Sequence, residues 1–178
     1  SSDLNKVLVE GYERALSLTR WAVNTVTPFQ LGWGSSLQAI RWLDDTTLEI
    51  QGWAFERGND YVSSPPVTEL EFCQRARRDP AAVAEARITP SAQVNRQSRD
   101  PNFDYSTTAF VAQVDVTQLA VHAAGESVRY QVFLQVEGGG ASHRGWFKTA
   151  RSGVSVDQMP GRRIAGTWVQ PTWVPRRG

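Results

Sequence analysis

The residues able to do chemistry are few in this chain, and their spacing matters more than their number. The two histidines, His122 and His143, stand at unrelated points with no Cys or carboxylate at ligand spacing, so no metal site is predicted. Asp44 and Asp45 are adjacent in a turn-like stretch, where neighbouring side chains point apart, and they read as solvated turn residues. Ser35-Ser36 follow Gly32 and Gly34, but GWGSS lacks the strand-to-helix turn that exposes a hydrolase nucleophile. No glycine-rich phosphate loop with its Lys is present. Asp100 and Asp104 are the only carboxylates of the polar stretch 89–105, with no nucleophile or stabilising group beside them. The pattern predicts no catalytic residue, no metal and no cofactor.

Binding is the chemistry left. The seven tryptophans could act as stacking platforms for sugar rings, although a small β domain also needs large core residues. Trp53 alternates with small residues in 46–58, TTLEIQGWAFERG, on the face where polar residues would be the default. Trp146 stands beside Arg144 and Lys148 on a hairpin over 129–148, which puts aromatic and basic groups together. Arg could hold a phosphate through two parallel hydrogen bonds. Trp53, Tyr105, Arg144, Trp146 and Lys148 are therefore the candidate ligand-binding set.

The elements that must position these residues follow from periodicity. Leu4, Val7, Leu8, Gly11, Ala15, Leu18, Ala22 and Val26 recur at three- and four-residue steps, predicting a helix over 3–26 that Thr27-Pro28 ends. From Gly34 onward, short alternating runs are separated by Gly, Pro, Asn and Asp. Strands are predicted over 37–42, within 46–58, and over 67–74, 83–88, 107–116, 126–136, 141–149 and near 164–174, with AAVAEA also readable as a helical turn and 116–124 as a turn or helical crossing. Residues 89–105 read as a long exposed loop. Without regular alternation of strands and helices, a parallel sheet is disfavoured. The expected fold is mainly β: an antiparallel, immunoglobulin-like β-sandwich of about seven or eight strands preceded by one helix. The expected organisation is a helix and connector over 1–33 and a β-sandwich domain over 34–178.

Composition bounds the function. A chain of 178 residues suits one packed domain with an extension. Its net charge of +1 gives no electrostatic footprint for nucleic acid or an anionic membrane. Cys73 is the single cysteine, which excludes an internal disulfide and fits a reducing compartment. No apolar run reaches the roughly 20 residues of a membrane-spanning helix, and no signal peptide is evident. The chain opens on SSD and ends on PRRG, and it reads as part of something longer.

Several stretches together resemble a known family. Ile40-Arg41-Trp42, LEIQGWAFERGND, FDYSTTAFVAQVDVTQL, VRYQVFLQVEGGGASHRGWF and GTWVQPTW are similar to an accessory β-sandwich domain of bacterial cell-surface polymer transferases. That domain accompanies glycosyltransferases and CDP-glycerol glycerophosphotransferases that build teichoic-acid-like polymers. The resemblance spans about 36–173, with Leu48, Gly52, Trp53, Ala54, Phe110, Val114, Asp115, Leu119, Arg144 and Gly145 in the framework places. It implies a non-catalytic module at the cytoplasmic face of the membrane. Its implied partners are a catalytic domain of the same polypeptide, a glycan or polyol-phosphate polymer, and a second copy through the N-terminal helix. The competing expectation is a carbohydrate-binding module built on exposed Trp and Tyr platforms.

Overall fold

The computed structural model describes residues 32–173 apart from 76 and 78, together with the backbone of Val7–Val9 and Glu13–Ala15. The chain divides into two compact units, residues 1–33 with 56–58 and residues 34–55 with 59–178. In the first unit, β1 (Val7–Val9) and β2 (Glu13–Ala15) pair antiparallel, with Leu8 opposite Arg14. The helix expected over 3–26 otherwise lies outside the described residues, and the two described pieces are strands instead.

The second unit is built on strands, as the alternation predicts. They are β3 (Trp33–Trp42), β4 (Thr47–Glu56), β5 (Val67–Gln74), β6 (Ala82–Ile88), β7 (Ala109–Asp115), β8 (Tyr130–Gly138), β9 (Ala141–Gly145), β10 (Thr149–Ala150), β11 (Arg162–Ile164) and β12 (Thr167–Val169). Two short helices interrupt them, α1 (Gln93–Ser98) and α2 (Thr117–Ala123). The ambiguous AAVAEA stretch is strand: every second residue, Ala82 and Ala84, is buried while Val83 and Glu85 are exposed.

Eight strands share one sheet in the order β10-β3-β4-β7-β6-β5-β8-β9. The expected pair of antiparallel sheets is thus replaced by one curled, mixed sheet. β6 is where it turns over, its first half in register with β5 through Ala82–Glu85 and its second half with β7 through Ala86–Ile88. Closure is dictated by chain length. β9 and β10 lie at opposite edges of the sheet, yet only Trp146, Phe147 and Lys148 separate them. Eight strands at about 4.8 Å spacing would hold flat edges roughly 34 Å apart. A four-residue step from Gly145 to Thr149 reaches at most about 14 Å. The sheet must therefore curl until its edges nearly meet. β9 and β10 run on in one direction, antiparallel to β8 and parallel to β3, so the parallel pair is the consequence of closing an odd circuit of strands.

Ser35 fastens this closure. Its hydroxyl donates to the Trp146 carbonyl at 2.7 Å and accepts the Lys148 N–H at 2.9 Å, while its own carbonyl accepts from the Thr149 hydroxyl at 3.3 Å. Ile50, Leu70, Phe72, Phe110, Ala112, Val114, Leu134 and Val136 fill the interior, with Leu119 and Ala120 of α2 also buried. Trp53 and Phe55 are buried as well, at 5% and 3% exposed, so the second half of β4 is covered on both faces.

Stretch 89–105 is not an exposed loop. It contains α1, it buries Val94 and Tyr105 completely, and Asn95 ties its ends together. The Asn95 side chain accepts the Tyr105 N–H at 2.7 Å and donates to Asp104 at 2.8 Å. Of the two alternatives for 116–124 the helical one holds, as α2 closed by left-handed Ala124, while the strand expected near 164–174 is replaced by the short hairpin β11–β12.

Candidate functional site

The five candidate binding residues do not converge on one surface. Trp53, in register with Ala109 of β7, is buried. Tyr105 is 0% exposed, its ring stacked on Phe55 with centroids 4.2 Å apart and its hydroxyl donating to Asp100 at 2.6 Å. Both belong to the core, which corrects the expectation of exposed platforms at these positions. Arg144, Trp146 and Lys148 follow one another along β9 and the connector that closes the sheet. Their surroundings differ. Trp146 is half-buried and Lys148 is exposed.

Arg144 is held by its own strand neighbours. It stands opposite Gln135 on β8, which the β8–β5 register sets opposite Glu69, so Arg144 reaches Glu71 diagonally, across the row of Phe133. Its Nε donates to the Glu71 carboxylate at 3.0 Å, and its guanidinium lies 3.9 Å from the centre of the Phe133 ring. Its Nη2 approaches Cys73 Sγ at 3.4 Å. Burial pushes the Cys73 thiol above its usual range, with the Arg144 charge pulling the other way, so this is a buried thiol rather than an activated nucleophile. The cation that suggested a phosphate grip is thus already engaged within the sheet, against Glu71 and Phe133 rather than beside Trp146.

The carboxylates are likewise occupied with architecture. Asp44 accepts the N–H groups of Thr46 and Thr47 at 2.9 and 2.8 Å, and Asp60 accepts those of Val62 and Ser63. Asp100, Asp104, Asp115 and Asp157 each accept a backbone N–H as well, from Asn102, Ser106, Thr117 and Trp173. Glu49 pairs with Arg41 at 2.9 Å. Hydrogen bonds to Thr46, Arg41, Ser63 and Asn95 favour the ionised forms of Asp44, Glu49, Asp60 and Asp104 and hold them below the usual carboxylate range. Among the described residues, no group of three or more His, Cys, Asp or Glu is placed to hold a metal ion. No helix among them is long and apolar enough to cross a membrane.

His143 makes the acid response testable. It sits on β9 opposite Val136, and burial pushes its pKa below the usual 6.5. Folding then disfavours the charged imidazole, so this contribution is whole above the unfolded value and is lost as pH falls through the lower folded one. The lowered carboxylates behave in the same direction over a more acidic window, losing their contribution as pH falls from about 4 downward. The unfolding temperature is expected to be flat between pH about 7 and about 8, to decline below about 6.5, and to decline again below about 4. Thermal scans of His143→Gln should lack the first decline and keep the second; an unchanged first decline would assign it to other groups.

Among the described residues, two aromatic side chains outside the candidate set are open to solvent, Phe103 at 36% exposed and Trp168 more fully. Trp168 of β12 is 58% exposed, and sequence reading placed it only in a final strand. The available signal was its alternation with Thr167 and Val169 in a strand too short to reveal which face is covered. No family model, no curated protein and no solved structure matches this chain.

Proposed function

We propose that this chain is a non-catalytic accessory domain of a bacterial transferase that builds a cell-wall glycan or teichoic-acid-like polymer. It positions that polymer or joins protomers at the inner face of the membrane, while a catalytic domain of the same polypeptide performs the transfer. The observation that carries this reading is how the polar side chains are used: Asp44, Asp60, Asp100, Asp104, Asp115 and Asp157 accept backbone N–H groups, and Glu49 and Glu71 pair with arginines. General acid–base or nucleophilic work needs a group poised toward a substrate, and these groups face their own backbone or a structural partner. In this reading the curled sheet is the counterpart of the family's immunoglobulin-like sandwich, with LEIQGWA in β4 and the FxxxVD run in β7 paired with it.

The test offers the intact chain CDP-glycerol or UDP-glucose with poly(glycerol phosphate) as acceptor, and measures nucleotide release and polymer binding separately. Polymer binding without nucleotide release is the expected result. Release that scales with protein and disappears on Asp100→Asn or Asp104→Asn would make the domain an enzyme and overturn the reading. A free-standing carbohydrate-binding module is the second reading, and the open indole of Trp168 is what favours it.

A further inference from the structure

The hairpin β11–β12 carries a ring and a cation on one outward face. Its register is Arg162 to Val169, Arg163 to Trp168 and Ile164 to Thr167, closed by Ala165 and Gly166 at φ 49° and 77°. Two left-handed residues are what a type I′ turn requires. Side chains alternate along each strand, so Arg162, Ile164, Thr167 and Val169 share one face. Ile164 is buried there, and the Arg162 guanidinium lies 4.5 Å from the centre of the Trp42 ring while donating to the Asp44 carbonyl. Gly161, Arg163, Trp168 and Gln170 fall on the opposite face.

That outward face is built rather than incidental. A Cβ at Gly161 would lie 2.4 Å from Cζ2 and 2.5 Å from Cε2 of Trp168, so the indole lies down on the glycine backbone. One side of the ring is thereby covered and the ring held, while the residue stays 58% exposed. Gln170 borders it, fixed by donating to the Met159 and Pro171 carbonyls at 2.8 and 3.1 Å. Arg163 is exposed and has no carboxylate partner among the described residues; its only hydrogen bond there is a long 3.5 Å contact to the Gly166 carbonyl. Folding normally hides tryptophan, because each Å² of apolar surface left wet forgoes about 25 cal/mol. A ring seated on glycine and left open on its other side is placed to stack a ligand.

The size of the face selects the ligand. A stable protein partner needs roughly 800 Å² per side, whereas this ribbon offers one indole among small and polar neighbours. A single sugar ring matches the indole and stacks its C–H face there. Directly opposite residues on paired strands have Cβ atoms about 5 Å apart, so the Arg163 fork and the Trp168 ring can reach one sugar unit together. We propose that Trp168 and Arg163 form a binding subsite for a sugar unit bearing an anionic group, phosphate above all. The subsite deepens the polymer-positioning reading and rests on it only for the identity of the polymer.

The test titrates the intact chain with phosphorylated dextran and with unmodified dextran, following the Trp168 indole N–H resonance and the heat of binding. Phosphorylated dextran is expected to shift that resonance, and Trp168→Ala or Arg163→Ala to weaken binding by roughly tenfold or more each, a loss readily resolved in Kd. Gly161→Ala should weaken it too by lifting the ring, with the circular dichroism spectrum unchanged. Raising salt from about 50 to about 500 mM should weaken the phosphorylated ligand selectively, as screening of the Arg163 contact demands. Binding of phosphorylated dextran that none of the three substitutions affects would overturn this subsite while leaving the accessory-domain reading standing. No binding of either dextran would overturn the subsite as well, and polymer binding in the nucleotide-release assay above then decides the broader reading separately. A dimer in light scattering that Trp168→Ala dissolves would assign the ring to a protein contact and overturn the subsite.

Discussion

Tyr105→Ala is expected to lower the free energy of unfolding by about 3–5 kcal/mol, as for other fully buried aromatic residues cut back to alanine. Tyr105 is 0% exposed and its ring is stacked on Phe55, with Tyr61 and Phe103 at centroid distances of 6.2 and 6.3 Å. The truncation removes the ring around which stretch 89–105 is wound, and it also frees the Asp100 carboxylate from the tyrosine hydroxyl. Tyr105→Phe isolates that second effect and is expected to cost about 1.5 kcal/mol, the lower end for a hydrogen bond to a charged group. Urea unfolding of the two variants separates ring from hydroxyl. A Tyr105→Ala midpoint equal to that of Tyr105→Phe would mean the ring contributes nothing and would refute the core assignment. Limited proteolysis gives a second readout, since the alanine variant should be cut within 89–105 first.

Gly52→Val is expected to cost about 3 kcal/mol, at the upper end of overpacking effects. A Cβ at Gly52 would lie 2.6 Å from the Ser36 carbonyl oxygen and 2.8 Å from Cε1 of Phe147. Phe147 can swing away, but the Ser36 carbonyl belongs to the neighbouring strand and moves only with it. The glycine thus provides the room through which the connector's phenylalanine enters the interior, beside Phe110 at 6.4 Å. For a domain of this size the loss corresponds to a fall of roughly 6–12 °C in Tm. Phe147→Ala in the Gly52→Val background should return only part of the loss, because the backbone collision persists. Full recovery would place the whole conflict at the ring, and an unchanged Tm for Gly52→Val alone would show that β3 and β4 approach less closely than described.

What the sequence determined by itself is local. Alternation in LEIQGWAF and VRYQVFLQV, and turn residues such as Asp44 and Gly139-Gly140, specify that these stretches are strands and where they reverse, because pleat and φ > 0 are properties of a few adjacent residues. The same alternation set small residues opposite Trp53. It could not say which face of each strand is covered, and there the tertiary structure decided. Both faces of β4 are buried near Trp53 and Phe55 because the sheet curls, and that curl depends on a three-residue connector joining opposite edges, a constraint spread across more than a hundred residues of chain. The fate of the polar groups is equally nonlocal. Arg144 was legible as a cation beside an aromatic residue, but its use was decided by Glu71 and Phe133 on strands brought next to it. Trp168 carried no distinguishing pattern in three residues of strand, and only its seat on Gly161 and its open face mark it as a residue for recognition. Periodicity records which side chains share a surface; packing alone determines which surface meets water.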